Sequence, residues 1–332
     1  MEEIKLLSLF SGIGAIEKAL TNQKIPFELV GFSEIDQSQI DCYCAIHNVD
    51  KNKNLGDIRL INEKVISDFN LLVFGFPCTD ISGHGFTKGF KEGTNTKSSL
   101  IWDAIRILRY HKPKYVIIEN VQDLTFKTFK EDFENLLKVF KESGYKVNWK
   151  CLNAKNFNLP QNRIRTFIVL IKEEFILNKD FIFPLGNTTP PNLIDFIDKN
   201  NSDLSLNLSD LERGLILEKL ENGNVKIKNG CDTGFLIAEY GDGINLSYTS
   251  STTRRGRVIK KSVGALNTVK SFGVLLENHF IRKLSEEETF LLQGFTKEDY
   301  QKCKKVVIYK NLYFNSGNSI PVTILEEILK VL

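Results

Sequence analysis

Short apolar runs alternate with segments of helical spacing through the first half of the chain. Runs with the length and composition of buried strands occupy residues 4–9, 27–33, 71–74 and 115–118. Apolar residues recur on one helix face in segments 14–20, 100–110 and 129–140. This alternation predicts an α/β fold, a mostly parallel sheet with helices on both faces. Ligands of such sheets bind beyond the carboxyl ends of the strands, so the residues after each strand are the candidates for a functional site.

The alternation of predicted strands and helices ends after residue 172, and prolines at positions 184, 190 and 191 interrupt the chain that follows. Residues 200–223 are predicted to form a polar helix or two short ones, and 225–270 to form short β pieces. We therefore expect a catalytic domain at 1–183, a smaller, irregular, mostly-β domain at 184–281, and a C-terminal segment at 282–332. Helices are predicted at 285–295, with a Ser285/Glu288 capping box, and at 323–332. The end of the chain, from about 317, is expected to return to the first domain.

Composition excludes several classes of protein. The net charge of the 332 residues is only +3, so a nucleic-acid footprint must be a local patch. The six cysteines form no C-x-x-C pair, so we expect neither a metal site nor a disulfide framework. The first residues lack the cationic start and long apolar stretch typical of a signal peptide, and no apolar run approaches membrane-spanning length, so we expect neither a signal peptide nor a membrane span. We expect a cytoplasmic protein that acts as a monomer.

A glycine turn follows the first predicted strand, in Phe10-Ser11-Gly12-Ile13-Gly14. Glycines there let the backbone approach a ligand at the start of the next helix. Glu17 occupies the place of a third fingerprint glycine, and its charge would repel a pyrophosphate, which favours a ligand without phosphates. Glu34 ends the second strand, where an acid binds ribose hydroxyls.

Two further strand ends carry reactive groups. Cys78 follows the third strand in Gly75-Phe76-Pro77-Cys78, and the proline restricts the backbone just before the sulfur. An isolated cysteine there would more often be a buried, inert thiol than a nucleophile. Glu119 follows the fourth strand and can meet Cys78 across one crevice. Thiolate attack on C6 of a pyrimidine pushes electrons toward N3, where a carboxyl group can share a proton.

Arginines dominate the other two candidate sites. Arg163 and Arg165, in QNRIR at a strand start, are expected on one strand face, where they could hold a base oxygen, the Glu119 carboxylate or phosphate. Residues 241–270 carry six Lys or Arg and one Asp. We expect Arg254, Arg255 and Arg257 in this run to enter the major groove of DNA. The glycine-rich segment 76–97 is predicted to be a mobile lid.

In order, the motifs FSGIG, GFPC, ENV, QNRIR, RKLSEEETFLLQGF and SGNSIPV resemble the cytosine-5 DNA methyltransferase family. The resemblance covers nearly all of residues 4–172 and 281–332. The unmatched stretch between them falls where that family carries its variable target-recognition domain. One departure is Pro77-Cys78-Thr79-Asp80-Ile81-Ser82, where the family often has Gln after Cys and Phe before Ser; this puts the loop contacts in doubt and leaves the thiol chemistry intact.

The resemblance implies a Rossmann-like sheet that binds S-adenosylmethionine and releases S-adenosylhomocysteine. The implied cofactor-binding residues are Phe10, Gly12, Gly14, Glu34, Asp57, Ile58, Asn318 and Ser319. Cys78 is the implied nucleophile at C6 of a flipped-out cytosine, with Glu119 at N3 and Arg163 and Arg165 holding the base and the acid. The loop after Cys78, including Ser82 and Lys88, would contact double-stranded DNA. A bacterial or phage modification enzyme of a restriction-modification system is the implied type.

Alternative functions are distinguishable by experiment. An RNA methyltransferase acting on tRNA would use the same chemistry, although the full-length basic region favours DNA. A catalytically silent DNA-binding relative would lack the intact Cys78 and Glu119. A nicotinamide dehydrogenase would share the sheet, but the missing third glycine counts against it.

Overall fold

The computed structural model of the protein describes residues 3–81, 88–175 and 180–332. The first seven strands are β1 Ile4–Leu9, β2 Phe27–Ser33, β3 Leu71–Gly75, β4 Tyr115–Val121, β5 Tyr145–Asn153, β6 Gln161–Asn162 and β7 Ile164–Lys172. The other strands are β8 Ile216–Lys219, β9 Val225–Lys228, β10 Phe235–Ala238, β11 Gly243–Asn245, β12 Val258–Ile259, β13 Val263–Gly264, β14 Phe272–Leu275 and β15 Ile281–Lys283.

The α-helices are α1 Ala15–Asn22, α2 Gln37–His47, α3 Ile101–His111, α4 Lys130–Glu142, α5 Asp210–Arg213, α6 Glu286–Leu291, α7 Lys297–Lys304, α8 Tyr309–Asn318 and α9 Val322–Val331. Single 3-10 turns link many of these elements, for example Ile58–Leu60 and Leu204–Leu206. No helix in the described ranges is long and apolar enough to cross a membrane.

The chain divides into two compact units. Unit 1 comprises residues 1–153, 164–185 and 324–332, and unit 2 comprises residues 154–163 and 186–323. The unit boundary at 185 lies close to the expected one at 183. Residues 154–163 and most of the segment 282–332 group with unit 2, whereas residues 324–332 group with unit 1.

Unit 1 is built on a sheet of order β2-β1-β3-β4-β7-β5. Strands β2, β1, β3 and β4 are parallel neighbours, whereas β7 is antiparallel to both β4 and β5. The sheet is thus mixed: the predicted parallel strands β2, β1, β3 and β4 form one side of it, and β7 lies antiparallel between β4 and β5. The carboxyl ends of β1, β2, β3 and β4 therefore meet at one edge.

Apolar faces of helices pack on this sheet. Leu72 and Phe74 of β3 share one cluster of buried side chains with Leu108 of α3 and Leu136 of α4. Each fully buried side chain of this size stabilises the fold by about 1.5–3 kcal/mol. On β2, Phe32 stacks on Tyr43 of α2 with ring centroids 3.9 Å apart. These contacts hold rigid the strand ends that carry the candidate site.

Unit 2 contains small antiparallel sheets of orders β10-β9-β8 and β12-β11-β14-β15, and β13 pairs with β6. Its helix α6 begins with the predicted capping box, in which Ser285 and Glu288 exchange side-chain and backbone hydrogen bonds. Glu288 also receives two hydrogen bonds of 2.6 and 2.9 Å from the buried Arg282 of β15. This buried pair joins α6 to the sheet of unit 2.

The predicted strands 4–9 and 27–33 match β1 and β2 residue for residue. The third and fourth strands extend beyond their predicted ends, so Glu119 lies within β4 and not after it. The polar segment 200–223 forms the 3-10 turn Leu204–Leu206, the short helix α5 and the strand β8. These differences move element ends and leave the candidate residues at the same edge of the sheet.

Candidate active site

The glycine turn after β1 has the backbone conformation that its sequence predicts. Gly12 and Gly14 have φ angles of 56° and 82°, in the left-handed region that favours glycine. A Cβ atom on Gly14 would lie 2.2 Å from Nε2 of His47, so only glycine fits there. That imidazole nitrogen lies 3.0 Å from the Ile13 carbonyl oxygen, which ties the turn to α2.

Glu34 lies at the end of β2 and links β2 to this turn. Its Oε2 accepts a hydrogen bond of 3.0 Å from the Gly12 N–H, and its Oε1 accepts from the N–H groups of Ile35 and Asp36. Burial raises the pKa of the Glu34 carboxyl above its ordinary value, while these backbone N–H groups act in the opposite direction. The carboxyl group is therefore held rigidly beside the glycine turn.

Asn54 is a supporting residue that the sequence did not indicate. Its Oδ1 accepts from the N–H groups of Glu34 and Gly56, both at 3.1 Å, and its Nδ2 donates to the Glu34 carbonyl oxygen at 3.0 Å. Asp57 caps the next turn and pairs with Arg59, and Ile58 is buried in the core. Asn54 thus holds the segment of Asp57 and Ile58 against the end of β2.

Glu17 corrects one argument made from the sequence. Its side chain is 1% exposed and accepts a 2.8 Å hydrogen bond from the Tyr43 hydroxyl. The carboxyl group points into the protein and cannot repel a pyrophosphate, so that reason for a phosphate-free ligand is wrong. Burial raises the pKa of Glu17 from 4.5 to about 7, and hydrogen bonds from its backbone, Tyr43 and Ser8 oppose this rise.

Because folding raises the pKa of Glu17, its carboxylate destabilises the folded state increasingly as pH rises from about 4.5 to about 7. We expect Glu17→Gln to raise the free energy of unfolding by up to about 3 kcal/mol at about pH 8 and by little at about pH 5. Urea unfolding at both pH values measures the difference. Glu28→Gln, on the exposed side of β2, is the matched control. An equal effect of Glu17→Gln at both pH values would contradict this assignment.

The turn that carries Cys78 is anchored at consecutive carbonyl oxygens. Phe76 O accepts from Nδ2 of Asn120 at 3.0 Å, Pro77 O accepts from the Ser98 hydroxyl at 2.6 Å, and Cys78 O accepts from the Ile81 N–H at 3.0 Å. Cys78 itself is half-buried. The thiol is therefore presented by a rigid turn and is not sealed in the core.

Ser98 and Asp80 form a second link behind this turn. The Asp80 N–H donates to the Ser98 hydroxyl at 3.2 Å, and the Ser98 N–H donates to Oδ2 of Asp80 at 3.1 Å. Both residues are buried. Asp80 belongs to the stretch that departs from the family pattern, and the structure gives it this anchoring role.

We expect Ser98→Ala to lower kcat by about 10- to 100-fold with little change in KM for DNA, because small displacements of a nucleophile are costly. The substitution leaves Pro77 O and the Asp80 N–H without their partner. Steady-state kinetics of methyl transfer, with the concentration of unmethylated duplex DNA varied, separates the two constants. The neighbouring Ser99→Ala, whose hydroxyl donates to Thr96 O, is the control. A rise in KM alone would show that Ser98 does not position the thiol.

Glu119 lies beside the Cys78 strand. It is paired in register with Gly75 of β3, three residues before Cys78. Oε1 of Glu119 lies 3.1 Å from Nε of Arg165 on β7, and both side chains are largely buried, at 12% and 15% exposure. Glu119 on β4 and Arg165 on β7 therefore lie on neighbouring strands of unit 1, and Cys78 lies three residues beyond the end of β3, on the other side of β4.

Arg163 does not share a strand face with Arg165, because the chain breaks strand pairing between β6 and β7 at this residue. Its guanidinium group is buried in unit 2 and donates to the carbonyl oxygens of Leu266, Gly317 and Ser319 at 2.7, 3.1 and 3.0 Å. The expectation that Arg163 holds the base is corrected: these donors hold backbone. Its contacts anchor the Gly317-Asn318-Ser319 motif, in which Asn318 is exposed and Ser319 buried.

The expected lid is only partly described. Ser82 lies outside the described residues, and Lys88 is exposed. Phe90 is buried in the core of unit 1, and Trp102 Nε1 donates to its carbonyl oxygen at 2.7 Å. Phe90 is therefore packed against α3, most of the residues 91–97 are exposed, and the lid over segment 76–97 stays a prediction.

The basic run of unit 2 is smaller than its sequence indicates. Lys260 and Lys261 pair with Asp242, and Lys270 pairs with Glu286. Arg257 is 0% exposed and donates to the carbonyl oxygens of Asn245, Ser247 and Tyr248 at 3.3, 2.8 and 2.7 Å. The expectation that Arg257 enters the DNA groove is therefore wrong, because its guanidinium group is enclosed by backbone carbonyls. Arg254 and Arg255 remain as candidates.

Comparisons with known proteins place this geometry in a family. Residues 4–332 match the model of the C-5 cytosine-specific DNA methylase family. The orphan methyltransferase M.SPRI of Bacillus phage SPR is 31% identical, covering 100% of this chain and 98% of the relative. The type II methyltransferase M2.ScrFI of Lactococcus lactis subsp. cremoris is 28% identical, covering 99% of both chains. The S. pombe Dnmt2 methyltransferase has a similar fold, with a TM-score of 0.66, 18% identity and coverage of 100% and 98%.

The sheet carries a cysteine turn and a carboxylate near the ends of neighbouring strands, and the family model matches nearly the whole chain. Together these features define an enzyme that transfers a methyl group to cytosine. The chain belongs to the C-5 cytosine-specific DNA methylase family.

Proposed function

We propose that this enzyme methylates C5 of a flipped-out cytosine in a specific sequence of double-stranded DNA, with S-adenosylmethionine as donor and a covalent bond between Cys78 and C6. The observation that carries the proposal is the placement of the anchored Cys78 turn, which follows β3, beside Glu119 on the neighbouring β4 and its partner Arg165 on β7. We further propose that it acts as a monomer without a metal, in the cytosol of a bacterium or a phage-infected host. We also propose that it serves as the modification enzyme of a restriction-modification system.

The residues at the ends of β1 and β2 fit an adenosine ligand. The glycine turn brings backbone N–H groups to the edge of the sheet, and the half-buried Glu34 carboxyl group can accept ribose hydroxyls. Phe10 is also half-buried and offers a ring to the adenine. We propose that Asp57 and Ile58 complete the adenine side and that Asn318 and Ser319 bind the methionine end. When bound, the donor supplies the electrophilic methyl group that C5 takes.

Cys78 and Glu119 divide the chemistry of cytosine activation. The Cys78 thiolate adds to C6, and electron density moves through the ring toward N3 and C5. Glu119 shares a proton with N3, which stabilises the negative charge that develops there. Loss of the C5 proton and breakage of the Cys78–C6 bond then release the methylated base.

Arg165 positions Glu119 and can also reach the base. Its Nε is engaged by Glu119, and its Nη1 donates to the carbonyl oxygen of Ile164 at 2.8 Å. We propose that the remaining donors hold the cytosine O2. Arg163 contributes by anchoring the Gly317-Asn318-Ser319 backbone and does not touch the base.

Base extrusion is required because C5 and C6 are inaccessible within the stacked duplex, and it costs a few kcal/mol. We propose that the segment after Cys78, including Ser82 and Lys88, contacts the DNA. Unit 2 supplies target recognition, with Arg254 and Arg255 contacting the DNA. These assignments make unit 1 the catalytic domain and unit 2 the recognition domain.

Bisulfite sequencing of a plasmid from cells that express the chain tests the proposal. We expect cytosines in one sequence context to resist conversion, and expression of Cys78→Ala to leave every cytosine convertible. In a parallel assay, purified enzyme should label duplex DNA and not tRNA. Labelling of tRNA alone would favour the RNA methyltransferase, and protection of no cytosine on several DNAs would favour the catalytically silent relative.

A further inference from the structure

The arginines of the basic run differ in how their side chains are used. The Arg257 guanidinium group donates hydrogen bonds to backbone carbonyl oxygens, and the Nε–H of Arg255 donates to Gly230 O at 3.0 Å. Within the described part of the chain, the Arg254 side chain has no carboxylate partner and no hydrogen-bond acceptor, and its Nε is buried. Its terminal nitrogens donate to no acceptor among the described residues and are not enclosed as Nε is, so they can bind an acceptor from outside the protein.

An aromatic ring holds the Arg254 guanidinium in place. Its Cζ lies 5.4 Å from the ring centroid of Tyr248, a cation–π arrangement. Tyr248 is 64% exposed and has a φ angle of 54°, which a tyrosine rarely adopts. An exposed aromatic residue in a strained conformation needs strong support from its surroundings, and Arg257 provides part of it by binding Tyr248 O.

The loop between Tyr248 and Arg257 is held in one conformation by hydrogen bonds that involve its backbone. The Ser251 N–H donates to Tyr248 O at 3.0 Å, and the Arg254 N–H donates to the Ser251 hydroxyl at 3.1 Å. The Gly230 N–H donates to Arg254 O at 2.7 Å. A Cβ on Gly230 would lie 2.4 Å from the Thr253 backbone, so only glycine allows this close approach. The backbone of Arg254 is thus fixed, and the Tyr248 ring orients its side chain.

Arg257 explains how the loop keeps this shape. It is fully buried with no carboxylate partner among the described residues, and burial together with the nearby Arg254 charge lowers its pKa. Taking an unpaired guanidinium group out of water is costly. Its hydrogen bonds to the backbone carbonyls of Asn245, Ser247 and Tyr248 offset part of this cost and fix the base of the loop.

We propose that Arg254 is a specificity-determining residue, which reads the O6 and N7 edge of a guanine in the major groove from the platform of the Tyr248 ring. This inference rests on the proposed action of the enzyme on duplex DNA. The Tyr248 ring holds the guanidinium fork in one orientation, and this fork matches the two acceptors on the major-groove edge of guanine. Arg255, exposed and fixed at Nε, supplies a phosphate contact that carries no sequence information.

The test is selection of bound sequences from a randomised duplex library by the full-length enzyme, followed by bisulfite reading of the same library. We expect the wild type to select a motif that contains guanine. Arg254→Ala and Arg254→Lys should each lower the preference for guanine at one position by about 10-fold or more. Lysine keeps the charge and loses the fork, so it separates base reading from simple attraction. Tyr248→Ala should weaken the same position, and Tyr248→Phe should retain it.

Arg255→Ala is the matched variant in the same loop. It should weaken binding uniformly across sequences and reduce the salt dependence by about one phosphate contact, with the motif unchanged. Retention of the full motif by both Arg254 variants would overturn the inference, as would full retention by Arg254→Lys alone or a wild type that selects no motif. A wild type that selects a motif with guanine at the Arg254-dependent position, and methylates nothing, would support this inference while contradicting the proposed function.

Discussion

Replacement of Cys78 by alanine is expected to lower the methylation rate by at least about 1000-fold, because the covalent route is lost while the fold and ligand contacts remain. The Phe76, Pro77 and Cys78 carbonyl anchors do not involve the thiol, so the turn should keep its shape. Transfer of a labelled methyl group to duplex DNA measures the rate. Calorimetry with S-adenosylhomocysteine should give a Kd unchanged within about twofold, well under the tenfold that about 1.4 kcal/mol would produce.

Cys151→Ser is the control for this prediction. Cys151 lies half-buried on β5 with its Sγ within 3.5 Å of the Thr166 hydroxyl, and the serine preserves a polar contact there. It should retain nearly full activity. Substantial methylation by Cys78→Ala would exclude Cys78 as the nucleophile, even if the same enzyme still bound the donor and DNA.

Glu119→Gln is expected to lower kcat by about 100- to 10,000-fold, the range for a lost proton-transfer group. Glutamine keeps the shape and can still accept a hydrogen bond from Arg165, but it cannot share a proton with N3. The ion pair at 3.1 Å is lost as well, so part of the effect comes from a less firmly held Arg165. Single-turnover methylation measures the chemical step without product release.

Glu142→Gln, at the exposed end of α4, controls for the change of one charge. It should leave kcat within about twofold, as expected for a surface substitution. If Glu119→Gln raised KM for DNA and left kcat unchanged, Glu119 would serve binding and not proton transfer.

Strands β1, β2, β3 and β4 could be predicted because each is a short apolar run next to a helix of regular spacing. β1 and β2 match their predicted bounds. The antiparallel direction of β7 could not be predicted, because direction is decided by pairing with β4 and β5 and leaves no local signature. The site at the strand ends followed from the parallel part of the sheet alone.

The roles of charged residues were harder to predict, because charged side chains are usually expected on the protein surface. Arg163 and Arg257 are buried, and each donates to backbone carbonyl oxygens, which for Arg163 come from segments distant in sequence. Glu17 is buried in the same way against Tyr43. Asn54 and Ser98 each act through three hydrogen bonds that no sequence motif indicates. These roles depend on tertiary contacts, so only the structure could assign them.

Trapping of the covalent intermediate tests the central claim most directly. Duplex DNA carrying 5-fluorocytosine at the methylated position should form a stable adduct with the enzyme in the presence of S-adenosylmethionine, since fluorine cannot leave as the proton does. Mass spectrometry should locate the modified nucleotide on the peptide that contains Cys78. An adduct on another cysteine, or no adduct on a sequence that the enzyme demonstrably methylates, would contradict the account.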